Sequence, residues 1–285
     1  MPDLHGSEQH GDGLDRAVGR AAGQIADADG LVIAAGAGIG VDSGLPDFRG
    51  DQGFWRAYPA LGRQRIAFES IANPAAFRSD PALAWGFYAH RLGLYRATVP
   101  HSGFHRLRAI ANTLPHGAFM FTSNVDGQFQ KAGFDAATVC EVHGSIHHLQ
   151  CIDACHAGIW TADDFRPVVD DENCRLVSPF PRCPRCGAIA RPNILMFGDW
   201  DWVEDRSARQ QQALDAWLRR LRRPVVIELG AGTHVATVRH FSERFAPALI
   251  RVNPTAPEIP DPRGVSLRLG AAEALERIAV ALNRA

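Results

Sequence analysis

The sequence predicts an α/β fold: a doubly wound parallel sheet with a helical insertion and a small cysteine-bearing module. Three observations carry this. Short apolar runs end repeatedly in small or polar residues. Helical patterns alternate with those runs. All six cysteines fall between Cys140 and Cys186.

Residues 1–14, rich in Gly, His and Asp, are expected to be a disordered lead-in. They have no apolar core and no basic start, so they are not a secretion signal. A helix is expected from Asp15 to Ala28, stopped by Asp29-Gly30. Leu31 to Ala35 then reads as a buried parallel strand feeding Gly36-Ala37-Gly38. The arrangement returns at Phe119 to Phe121 before Thr122-Ser123-Asn124, at Val225 to Leu229 before Gly230-Ala231-Gly232, and at Leu249 to Val252 before Asn253. In an open α/β sheet, ligands bind at such carboxyl ends. Helical patterns cover 81–98, 102–114, 206–220, 234–245 and 271–283. Residues 51–100 form a mainly helical insertion, and 151–191 form the cysteine module. The sheet itself is assigned to 15–50, 101–150 and 192–285.

Composition is that of a soluble globular chain: 285 residues, 46% hydrophobic, 21% charged. The net charge of −1 gives no field to draw nucleic acid or an anionic membrane, and neither is expected as a partner. No apolar run approaches the roughly 18 residues of a membrane helix. A cytoplasmic location is expected.

Five segments carry chemistry. Gly36-Ala37-Gly38 opens the first, which continues as Ser-Gly-Leu-Pro-Asp-Phe-Arg-Gly to Gly50. Its glycines let backbone approach a pyrophosphate, although Gly-x-Gly alone is equally a tight turn. In the second, Asn124 and Asp126 can bond ribose hydroxyls or a carboxamide, or merely cap a helix. The third, Glu141-Val142-His143-Gly144, offers a general base near neutral pH. A histidine among twelve is more often structural, and His147 and His148 read as supporting or surface residues. The fourth pairs Cys151 and Cys155 with Cys183 and Cys186: four thiolates for a closed, structural zinc site. Cys140 reads as a buried strand residue, and Cys174 is the alternative fourth ligand. The fifth, Arg191 to Asp199, alone reads as a strand leaving the module.

Together, in this order, the segments resemble the sirtuin family of NAD-dependent protein deacylases, over roughly residues 30 to 280. The resemblance implies a Rossmann-like NAD-binding domain and a small zinc-ribbon domain, with NAD and acyl-lysine protein meeting between them. It implies that Gly36, Ala37, Gly38, Asp47, Phe48, Arg49, Ser123, Gly230, Gly232 and Asn253 line the NAD site. Asn124 and Asp126 would serve both NAD and catalysis, with His143 as general base. Phe197, Gly198, Asp199 and Val235 would meet the peptide, added as a strand. The implied products are free lysine, nicotinamide and O-acyl-ADP-ribose.

Four positions depart from the family pattern: Gly40 for Ser, Ser123 for Gln, Gly230-Ala231-Gly232 for Gly-Thr-Ser, and Asp199 for Glu. NAD is still expected, because Asn124, Asp126 and His143 remain. Tyr88 and Arg91, three apart on one helix face, resemble the pair with which desuccinylating and demalonylating sirtuins hold the acyl carboxylate. The competing reading is an amphipathic helix whose aromatic residues face the core and whose arginine is solvated. Two further functions compete with deacylation. The altered NAD turns suit ADP-ribosyl transfer or NAD hydrolysis, and a non-catalytic NAD- or ADP-ribose-binding module has no need of His143.

Overall fold

A computed structural model describes residues 5–46 and 50–284, with side chains for 13–46 and 53–284. The chain runs α1 (His5–Ala26), β1 (Gly30–Ala35), a 3-10 turn (Ala37–Ser43), α2 (Gly50–Ala57), α3 (Pro59–Arg63), α4 (Phe68–Ile71), α5 (Pro74–Ser79), α6 (Pro81–Ala97), α7 (Ser102–Ala111) and β2 (Ala118–Thr122). It continues with α8 (Gln128–Lys131), β3 (Val139–Glu141), β4 (Gly144–Cys151), β5 (Ile159–Thr161), β6 (Val169–Asp170), β7 (Arg175–Leu176) and β8 (Ala190–Ile194). The remainder is α9 (Asp205–Leu218), β9 (Pro224–Leu229), α10 (Thr237–Glu243), β10 (Leu249–Val252), β11 (Val265–Leu267) and α11 (Ala271–Leu282).

Six strands form one parallel sheet in the order β11-β10-β9-β1-β2-β3. The chain leaves β1 in one direction for β2 and β3, then returns to its other side for β9. That reversal places a topological switch point between β1 and β9. β1 is buried along its whole length, and its residues alternate between two cores. Leu31, Ile33 and Ala35 pack with Ile25 of α1, Leu107 of α7 and Leu275 of α11. Val32 and Ala34 face Leu214 and Trp217 of α9 and Phe241 of α10. Each large side chain so buried contributes about 1.5–3 kcal/mol.

A second, antiparallel sheet, β5-β4-β8, packs under the short helices α2–α6 in a third core. β4 carries the chain from the large sheet into the small one. Gly144 starts it at φ +78°, and a Cβ there would lie 2.1 Å from the Asn193 carbonyl, so only glycine lets β4 and β8 approach.

Three expectations need correction. α1 begins at His5, not Asp15, so most of the segment expected to be disordered is helical. No proline falls between Pro2 and Pro46, and each added helical residue gains a hydrogen bond. α10 begins at Thr237, three residues after the expected His234, because the glycine turn before it runs on. The edge strand β11 was not expected: three residues are too few to show a period. Among the described residues, no helix is long and apolar enough to cross a membrane.

Candidate active site

The carboxyl ends of β1, β2, β9 and β10 converge at the switch point. Gly38 N–H donates to Gly230 O at 3.0 Å, and Gly36 N–H to Leu229 O at 3.0 Å. A Cβ on Gly38 would stand 2.7 Å from Gly230 Cα. One on Gly230, at φ +60°, would stand 2.4 Å from Gly38 C. The two glycine turns are therefore in backbone contact, and neither tolerates a side chain. Gly230→Ala combines a left-handed penalty with a backbone clash and is expected to cost about 2–5 kcal/mol in urea unfolding. Gly232, with nothing within 4 Å of its Cβ position, is the control: Gly232→Ser should leave the midpoint unchanged.

Side-chain amides tie these turns to their neighbours. Asn124 Nδ2 donates to Gly36 O at 3.1 Å. Asn253 Nδ2 donates to Ala231 O at 3.0 Å, while its Oδ1 accepts from Thr255 N and Ala256 N. Buried Asn253 thus shapes the turns. Ala37 is exposed beside them, and Ser123 N–H bonds Ala35 O at 3.2 Å. Where the family has Ser, a Cβ on Gly40 would meet Leu45 at 3.1 Å. Asp47, Phe48 and Arg49 lie outside the described residues.

Two titratable groups stand out. Asp126 Oδ1 accepts from the N–H of Gln128, the first residue of α8, at 2.9 Å. Burial, with a smaller push from Glu141, raises its pKa to about 6. His143 follows β3, and its Nε2 lies 3.4 Å from Thr237 Oγ1. The Ser123 backbone lies close enough to oppose, in part, the effect of burial on the ring. Burial lowers the His143 pKa below its ordinary value. The Thr237 contact, 94 residues away in sequence, was not foreseen. His147 supports the site: its Nε2 donates to Asp126 O at 3.0 Å.

Tyr88 and Arg91 share a buried face of α6. Arg91 donates from Nε and Nη2 to Tyr95 Oη, at 3.0 and 2.7 Å, and its Cζ lies 5.9 Å from the Tyr88 ring centre. The arginine is not solvated, contrary to the amphipathic alternative. Its charge opposes the rise in the Asp126 pKa.

The segment expected to meet a peptide divides. Phe197 and Val235 are exposed, as is Trp200. Phe197 N–H is already donated to Ala72 O at 2.9 Å, and Gly198 turns the backbone at φ +64°. The Asp199 carboxylate is not available to a peptide. It is wholly buried, pairing Arg191 Nη2 at 2.7 Å and accepting from Met196 N. The cause is Arg191: a guanidinium buried on β8 requires a charged partner.

Cys151, Cys155, Cys183 and Cys186 gather with all four sulfurs within 4.8 Å of one another. The Cys151–Cys186 and Cys155–Cys183 separations are 3.6 and 3.7 Å. A tetrahedron with metal–sulfur bonds of about 2.3 Å has edges of about 3.8 Å, so the donor set fits a four-cysteine metal site. Cys174 is excluded: it packs in the core under α6. Cys140 is buried on β3.

Comparison with known proteins adds to this geometry. The Sir2 family model matches residues 36–218. An NAD-dependent protein deacylase of Methylococcus capsulatus is 30% identical over 272 residues, covering 91% of this chain and 95% of the relative. NAD-dependent protein deacylase 1 of Archaeoglobus fulgidus is 28% identical, over 89% of this chain and 93% of its own. The crystal structure of a Sir2 homologue–NAD complex superposes with a TM-score of 0.66 at 26% identity, covering 92% of this chain and 93% of that one. A further Sir2 enzyme structure gives 0.68 at 25% identity, over 95% and 99%.

Proposed function

The chain belongs to the Sir2 family and is an NAD-dependent protein deacylase, and we propose that His143 is its general base and that Tyr88 and Arg91 select the acyl group. The observation that carries the first assignment is the His143 ring itself. It meets Thr237 Oγ1 through Nε2, is favoured in its neutral form by burial, and is set beside the turns of β1, β2 and β9. When bound, NAD supplies the ribose carbon that the acyl oxygen attacks and nicotinamide as leaving group, so that lysine, nicotinamide and O-acyl-ADP-ribose are released. The Gly36–Gly38 and Gly230–Gly232 turns would hold its phosphates through backbone N–H groups. Asn124 and Asp126 would hold the nicotinamide and ribose region, and His143 Nε2 would take the proton of a ribose hydroxyl. The deacylated protein is bound along Phe197, Gly198 and Val235. Zinc on the four cysteines would supply stability only, since four thiolates leave no open position.

Two tests follow from the charges. Arg91 beside Tyr88 suits a succinyl or malonyl carboxylate. Arg91→Met, which keeps most of the packing, is expected to lower kcat/KM for a succinyl-lysine peptide by roughly 10- to 100-fold, with little effect on an acetyl-lysine peptide. Equal losses on both peptides would remove Arg91 from acyl selection.

The pH profile tests Asp126. Because the His143 pKa is depressed, its base form persists below pH 6.5. The acid limb should therefore report Asp126, with an inflection near 6 that Asp126→Asn abolishes. The stability sign is opposite. A carboxyl whose folded pKa is raised stabilises most below its unfolded value and loses that contribution as pH rises through about 6. Asp126→Asn should consequently gain stability relative to the parent at pH 8 but not at pH 4.

A further inference from the structure

Behind the Asn124–Asp126 turn lies a cavity of about 590 Å³ that shares only Asp126 with the residues assigned to deacylation. Ser145, His147 and His148 of β4 form one wall, Arg206 and Gln210 of α9 another, and Lys131 and Arg96 close the far side. Its volume is within the range of small-molecule sites.

Two buried side-chain nitrogens have no partner among the described residues. Arg206 places Nη2 on Glu141 Oε2, but its Nη1 is buried and unpartnered among the described residues. His148 Nδ1 is likewise buried and unpartnered; burial keeps the ring neutral, and it serves an anion as the tautomer protonated at Nδ1. Such groups are rare in folded proteins and mark a place where a partner belongs. More donors stand nearby. Ser145 Oγ accepts from His147 N at 3.3 Å and keeps its own proton to give. Gln210, also on the lining, accepts from Glu141 N through Oε1 at 3.1 Å, so its amide nitrogen remains a donor.

Cations and carboxylates both stand at this cavity, but they differ in what already bonds them. Arg96 donates to the carbonyls of Phe165 and Ala162, and Lys131 to those of Arg96 and Thr98. Carbonyls satisfy these hydrogen bonds without cancelling the charge. Against three cations stand Asp126 on the wall, Glu141 behind Arg206, and Asp163 near His148. Asp126 turns Oδ1 to the start of α8, and Asp163 is exposed. The Arg96 and Lys131 charges, with the unpartnered nitrogens of Arg206 and His148, are left to an acceptor-rich ligand.

We propose that this cavity binds a small organic anion, its carboxylate or phosphate head group seated on Arg206 Nη1 and His148 Nδ1. The site is distinct in its walls from the glycine turns, but His147 joins the two through Asp126 O. An occupant touching His147 therefore bears on the turn that carries Asn124.

The test is a titration of the whole chain with phenyl phosphate, benzoate and inorganic phosphate, with saturating ADP-ribose present to fill the glycine turns. Calorimetry gives affinity, and side-chain ¹⁵N spectra of the histidines give location. One saturable site that moves the His148 Nδ1 resonance is expected, and the stronger of phenyl phosphate and benzoate identifies the head group. Arg206→Lys keeps the partner of Glu141 but loses Nη1, and should weaken binding about tenfold or more. His148→Ala, which leaves the Glu141 pair intact, should weaken it as well, so a folding defect in the first variant does not decide the matter. Failure of all three probes to saturate, or affinities that neither variant changes, would overturn the proposal.

Discussion

Cys183→Ser is expected to cost the protein its metal and much of the stability of its small sheet. Cys183 is buried, 3.7 Å from Cys155, and Gly187 N–H is bonded to its carbonyl. The knuckle Cys183-Pro184-Arg185-Cys186-Gly187 thus folds around the ligand it supplies. Structural zinc sites contribute apparent free energies of about 10–16 kcal/mol in small peptides, because the ligands are not gathered in the unfolded chain. The large sheet and its cores fold around their own apolar faces, so only part of that is at stake here. A loss of about 3 kcal/mol or more corresponds to a fall in Tm of roughly 6–12 °C. Elemental analysis should find one zinc per parent chain and almost none in Cys183→Ser. Cys174→Ser, outside the cluster, should keep its zinc. The reverse pattern would reassign the ligands.

His143→Ala is expected to lower kcat/KM for deacylation by roughly 10²- to 10⁴-fold, the usual contribution of a positioned general base. The residue's bonds explain why the effect should be confined to chemistry. The ring contacts Thr237, while its own backbone carbonyl, which accepts from Leu195 N at 3.0 Å, survives substitution. Folding and NAD affinity should change little. A variant with parent-like NAD binding and a lost rate would separate the base from the cofactor contacts. Retained activity would move the base elsewhere.

Local chemistry made much of this molecule legible. Leu31 to Ala35 is a run of apolar residues closed by glycines, and a central parallel strand buried on both faces needs that pattern. The cysteine pairs were equally plain, because each pair sits on its own turn. What the sequence hid depends on distance along the chain. Thr237 meets His143 across 94 residues, and Arg206 meets Glu141 across 65. Neither pairing leaves a periodic trace. Asp199 misled for a related reason: its neighbours Phe197 and Gly198 face outward, but Arg191 draws its carboxylate into the core. Cys174 could be removed from the ligand set only once its place under α6 was visible.

The central claim is that this chain transfers an acyl group from lysine to ADP-ribose. The most direct measurement follows masses when the protein is incubated with NAD and acetyl-, succinyl- or malonyl-lysine peptides, beside His143→Ala. Free lysine peptide, nicotinamide and O-acyl-ADP-ribose should form in equal amounts, only with NAD, and be lost in the variant. NAD cleaved to ADP-ribose while every peptide keeps its acyl group would contradict the account, as would peptide and NAD both left intact.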